Sequence, residues 1–142
     1  MISDMTKNKP LVCVSGYFNP VHIGHIRMVR DAAKLGRVVV IVNNDYQVKL
    51  KGSVLFMPAK DRAEIMTAFK GVERSVVAID KDRTVCKTLA KIKPDIFCNG
   101  GDRTQKNIPE LDVCARLGIQ AIFGVGGRKV RSSSSLLNQV VS

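Results

Sequence analysis

Leu11-Val12-Cys13-Val14-Ser15 runs directly into Gly16-Tyr17-Phe18-Asn19-Pro20-Val21-His22-Ile23-Gly24-His25. The first five residues form a short, mostly apolar run with two valines, the signature of a buried strand. The Gly/Pro-punctuated turn that follows opens an amphipathic segment, so His22 and His25 fall at a helix start. Such a start offers unpaired backbone N–H groups and the positive end of the macrodipole, both of which favour an anion. Residues three apart share one helix face, so both imidazoles can reach the same phosphate. Gly24 lies between them without a side chain and lets a ligand approach the backbone. A lone histidine there is more often a cap or a surface residue, but these are the only two in the chain and both lie in one turn. Zinc is the chemical rival. Two histidines at i, i+3 without a placed Cys or carboxylate fall short of a ligand set, so no metal ligand is assigned.

Outward from this stretch, apolar β-branched runs recur at 37–43, 75–79, 95–98 and 119–125. Amphipathic segments alternate with them at about 22–35, 59–70, 84–92 and 109–117, and Ser132 to Val141 would be a final helix. Continuous Val/Ile-rich strands alternating with helices imply a parallel sheet covered on both faces. The expected fold is therefore α/β: a Rossmann-like, doubly wound, five-stranded parallel sheet in a single domain. Gly36, Gly71 and Gly118 read as helix stops and Pro58 as a helix start. Residues 1–10 read as a polar N-terminal extension and 11–142 as the domain.

At 142 residues the chain is long enough for one sizeable core. The run Val38 to Val42 stops at Asn43, far short of a membrane span, and residues 1–10 lack the apolar centre of a signal peptide. Cys13, Cys86, Cys98 and Cys114 form no C-x-x-C pair, and Cys13 and Cys98 lie in strand-like runs where a buried thiol is usual. A cytoplasmic protein without membrane association is expected. The formal charge of +11, from 23 Lys+Arg against 12 Asp+Glu, attracts polyanions without naming one. With no Trp, two Tyr and five Phe, a stacking platform for single strands is poorly supplied, and no zinc-finger or RNP pattern occurs. A nucleic-acid-binding module stays as the rival from another class, an inactive relative as the third reading.

In open parallel sheets ligands sit at the carboxyl ends of the strands. Those ends carry Gly16-Tyr17-Phe18, Asn43-Asn44-Asp45, Asn99-Gly100-Gly101-Asp102-Arg103 and Gly124-Val125-Gly126-Gly127. Arg131 and Ser132-Ser133-Ser134-Ser135 precede the last helical pattern, where hydroxyls would join free N–H groups in a second phosphate cradle. Lys49 and Lys51 are read as part of a loop after the second strand, able to neutralise charge on a transferred phosphoryl group and its leaving group. Gly124 to Gly127 lacks the dinucleotide G-x-G-x-x-G spacing, and Walker A and Gly-x-Ser-x-Gly sequences are absent.

GYFNPVHIGH together with RSSSSLL resembles the nucleotidyltransferase superfamily marked by H-x-G-H and a C-terminal serine/threonine motif. Glycerol-3-phosphate cytidylyltransferase and heptose-phosphate adenylyltransferase belong to it. The similarity spans about residues 11 to 141. Class I aminoacyl-tRNA synthetases share His-Ile-Gly-His but carry a lysine-rich second signature that is missing here.

The resemblance implies that His22 and His25 stabilise the α-phosphate of a nucleoside triphosphate, with Lys51 as the third catalytic residue. It implies nucleotide contacts from Tyr17, Phe18, Gly24, Lys49, Asn99, Gly100, Asp102, Arg131, Ser132, Ser133 and Ser134. Acceptor contacts would come from Arg62 and Arg103. Mg²⁺ would accompany the triphosphate, the acceptor would be a small phosphate or phosphonate, and the enzyme would be a homodimer. The loop and the Asn-Gly-Gly-Asp turn lean towards CTP as donor, with ATP as the alternative. Asn19 departs from the Asp of many members, and neither Arg128 nor Arg131 sits where the cytidylyltransferase pattern places its arginine.

Overall fold

The computed structural model describes residues 9–100 and 109–125. Ten elements follow in order: β1 (Leu11–Gly16), α1 (Ile23–Ala33), β2 (Arg37–Val42), α2 (Asp45–Lys51), α3 (Ala59–Thr67), β3 (Val72–Val77), α4 (Cys86–Ile92), β4 (Ile96–Gly100), α5 (Glu110–Leu117) and β5 (Gln120–Val125). The five strands form one sheet in the order β3-β2-β1-β4-β5, and every neighbouring pair is parallel. The expected Rossmann-like fold is therefore present. Successive pairs run outward from β1 in one direction and resume beside it at β4, so the order reverses at β1.

Alternation along the strands explains the two-sided core. Side chains of successive strand residues point to opposite faces. Val12, Val14, Val38, Val40 and Val42 lie on one face with Met28, Val29 and Ala32 of α1 and Met66 of α3. Cys13, Val39 and Ile41 lie on the other with Leu89 of α4 and Val113 and Cys114 of α5. Both faces need apolar cover, hence runs with no polar alternation. Each fully buried Val, Leu or Phe contributes about 1.5–3 kcal/mol against exposure. All four cysteines are free thiols, and Cys13 and Cys98 are buried as expected. Burial pushes Cys13 up to about 12 and Cys98 up to about 11, which leaves both chemically inert.

Four local expectations change. Residues 45–51, read as loop, form α2: Asn44 caps its first turn, Gln47 closes the reciprocal cap, and Gly52 ends it in the left-handed region at φ 79°. β3 begins at Val72 rather than 75, because at a sheet edge its first turn of pairing carries exposed Glu73 and Arg74, which hide the strand pattern. Gly36 is no helix stop. Lys34 caps α1 in right-handed geometry, and a Cβ on Gly36 would lie 2.2 Å from the Pro10 carbonyl oxygen, so close backbone approach is what requires glycine there. Gly71 likewise stands at the entry to β3, while α3 ends at Thr67 with Ala68 as its cap. Gly118 does end α5 in the left-handed region, and Pro58 starts α3, both as read from the sequence. The segment 132–141 and residues 1–8 lie outside the described residues.

Candidate active site

The reversal of strand order places the β1–α1 turn at the switch point, where open α/β sheets hold ligands. The turn is built around Phe18, whose φ of 51° folds its ring back beneath the helix start. A Cβ on Gly16 would meet that ring at 2.9 Å, so the strand must end in glycine for the ring to pass. Phe18 is 0% exposed and packs edge-on against His25, ring centroids 4.7 Å apart.

The two histidines cap their own helix. His22 is the N-cap, and its Nδ1 accepts from the Gly24 N–H at 3.1 Å. The His25 Nδ1 accepts from the His22 N–H at 3.1 Å, closing a reciprocal capping box in which imidazoles replace the usual hydroxyl and carboxylate. The rings stack with centroids 3.8 Å apart. A nitrogen that accepts a hydrogen bond carries no proton, so in each neutral ring the proton sits on Nε2. Burial, then the neighbouring His22 and Lys51, push His25 down to about 3, which keeps it neutral at physiological pH. The helix start thus presents two Nε2–H donors side by side, that of His25 on a neutral ring, next to the positive end of α1.

Lys51 ends α2 with its Nζ 4.3 Å from the centre of the Tyr17 ring, a cation–π contact that keeps the ammonium beside the β1–α1 turn. Lys49 is exposed, and residues two apart on a helix do not share a face. The pairing of Lys49 with Lys51 expected from a loop is therefore not formed.

Arg62 overturns a second expectation. It is 0% exposed, so it is no surface group waiting for an acceptor. Its Nη1 donates to the carbonyls of Tyr17 and Asn43, both at 2.7 Å, its Nε to the Met57 carbonyl at 2.9 Å, and its Nη2 to Asp45 Oδ1 at 2.8 Å. Four of five guanidinium N–H groups hold the framework together at the ends of β1 and β2. Phe18 is likewise core, so only its backbone can face a nucleotide. The Gly24 N–H is taken by His22 rather than left open. Asn43, Asn44 and Asp45, read as polar strand-end residues at the site, are spent on structure: Asn44 donates to the Ala78 and Asp80 carbonyls, and Gln47, which the sequence reading missed, donates to those of Asp82 and Thr84. The cue for it was present in the Asn44-x-x-Gln47 spacing.

Asn99 and Gly100 end β4 beside β1, as the strand-end argument required. Asp102, Arg103, Arg128, Arg131, Ser132, Ser133 and Ser134 lie outside the described residues. Among the described residues no cluster of His, Cys, Asp and Glu could hold a metal ion, and no helix is long and apolar enough to cross a membrane. A groove of about 570 Å³ between α1 and Phe69–Gly71 contains none of the residues expected at the site.

Comparison with known proteins gives the family. The chain is 31% identical over 123 residues to the FAD synthase of Thermoplasma acidophilum, covering 86% of this chain and 81% of that one. It is 29% identical over 136 residues to the D-beta-D-heptose 1-phosphate adenylyltransferase of Bordetella bronchiseptica, covering 93% and 82%. Among solved structures, the lipopolysaccharide core biosynthesis protein of Thermoplasma volcanium GSS1 shares the fold with a TM-score of 0.68 and 25% identity, over 84% of this chain and 98% of that one. The family model described as cytidylyltransferase-like matches residues 13–125, and the chain belongs to this family of nucleotidyltransferases.

Proposed function

We propose that this enzyme transfers a nucleoside monophosphate from an NTP to a small phosphorylated acceptor. An acceptor phosphate oxygen attacks the α-phosphorus, a new P–O bond forms there, and the bond to the departing pyrophosphate breaks with its electron pair on the leaving oxygen. No general base is needed, because a phosphate nucleophile is already ionised near neutral pH. The observation that carries this reading is the imidazole capping box. Two fixed Nε2–H donors at a helix start suit the oxygens of an α-phosphate as charge redistributes in the transition state. Lys51 supplies the positive charge for the outgoing phosphates. No residues gathered among those described form a Mg²⁺ site. Mg²⁺ would accompany the triphosphate and offset its negative charge.

ATP is the donor we place first. The similar proteins are named for adenylyl transfer and for FAD synthesis, so the lean towards CTP drawn from the resemblance becomes the second reading. Both names fit a phosphate-bearing acceptor, a sugar phosphate or a flavin phosphate. The test is pyrophosphate release with Mg²⁺, each of four NTPs, and a panel containing a heptose 1-phosphate, FMN, glycerol 3-phosphate and a phosphonate. Turnover of one NTP with one acceptor is expected, reduced about 10²–10³-fold by His25→Ala. Pyrophosphate release untouched by loss of either histidine would end the reading.

A further inference from the structure

Asn19, only 2% exposed, stands three residues before His22 and reaches out of the β1–α1 turn to a different part of the chain. Its Nδ2 donates to the Val54 carbonyl at 2.6 Å. Its Oδ1 accepts from the N–H groups of Phe56 at 2.8 Å and Met57 at 3.4 Å. These three partners belong to the strap 53–58 that joins α2 to α3 and begins just past Lys51 and Gly52. The strap does not hold itself in place by burying its own apolar groups: Val54, Leu55 and Phe56 are 52%, 40% and 45% exposed. α2 has only seven residues and is not stable alone. Its first turn is tied down by Asn44 and Gln47, and its last residue, Lys51, leads straight into the strap that Asn19 clamps.

We propose that Asn19 is a positioning residue for nucleotidyl transfer: its carboxamide ties the strap to the histidine turn and so keeps Lys51 beside the phosphate that His22 and His25 receive. This rests on the function proposed above. The clamp needs one planar group that donates at one end and accepts at the other. An aspartate of the same size can still accept from Phe56 and Met57, but it turns a lone pair on the Val54 carbonyl.

A double-mutant cycle tests it, with the full-length wild type, Asn19→Asp, Lys51→Ala and the double variant. Each is read by kcat/KM for pyrophosphate release, by calorimetric Kd for the NTP, and by circular dichroism for folding. In the wild-type background Asn19→Asp is expected to lower kcat/KM by about 10–100-fold, the scale of a misplaced catalytic group. In the Lys51→Ala background the same change should cost less than about twofold, because no ammonium remains to be misplaced. Equal losses in both backgrounds overturn the proposal and leave the role of Lys51 standing. Unchanged activity and Kd in Lys51→Ala alone remove Lys51 from the proposed function, and this proposal with it. If Asn19→Asp does not fold, Asn19→Ala takes its place without a buried charge. If neither folds, Asn19 is a folding residue and the proposal fails.

Discussion

Replacing Arg62 with methionine separates the structural from the resemblance-based view of that residue. Methionine keeps the length and apolar stem but loses every donor. Three backbone carbonyls, of Tyr17, Asn43 and Met57, lose their partners at 2.7–2.9 Å. Each such bond contributes about 1 kcal/mol net, and more where the acceptor stays dry. The Asp45 pair adds less, because its carboxylate is 43% exposed and can turn to water. The expected sum is about 4 kcal/mol, which in a chain of this size lowers Tm by about 10–15 °C. Thermal melts followed by circular dichroism measure that directly, with KM for NTP and acceptor determined below the transition. A Tm within about 2 °C of wild type, with acceptor KM alone raised tenfold, would refute the framework role and return Arg62 to the acceptor.

The capping box separates its two duties under substitution. His22→Ser with His25→Glu rebuilds an ordinary capping pair, so Tm should stay within a few degrees of wild type while pyrophosphate release falls at least about 10²-fold; a single His22→Ala should lose both, by about 1 kcal/mol in the cap alone. Acid sensitivity follows from His25. Its folded pKa of about 3 lies below the ordinary 6.5, so the unfolded chain takes up the proton first. Its contribution is present in full above pH 6.5 and is lost as pH falls towards 3, by up to about 1.4 kcal/mol per unit inside that window. Urea titrations between pH 7 and 4 should show this slope flatten by about one proton in His25→Asn; an unchanged slope would mean that His25 is not the buried neutral group described.

The sheet was legible because β1, β2 and β4 are buried on both faces and spell continuous apolar runs. The edge strand β3 blurred at its start, since Glu73 and Arg74 face water and break the pattern. α2 was hidden because Lys49 and Lys51 look like loop charge unless the caps at Asn44 and Gly52 are read first. The histidine turn was legible as a phosphate-facing element, because residue type, spacing and flanking strand all pointed one way. That the imidazoles would cap the helix themselves was not, since Nδ1 acceptance depends on ring rotation. Arg62 was given to the acceptor because a motif match assigns a charge to a ligand without asking which way its helix turns. Arg62 faces inward from α3 to carbonyls that no linear pattern reveals.

Making the reactive groups hold their own helix also constrains how such a chain can change over time. Replacing either imidazole with a residue that cannot cap loosens the first turn of α1 in the same step that removes a donor. A lineage that abandoned the chemistry while keeping the architecture would have to pass through the few residue types that still cap the helix. One-step drift is thereby penalised twice, and the motif is guarded by stability as well as by turnover.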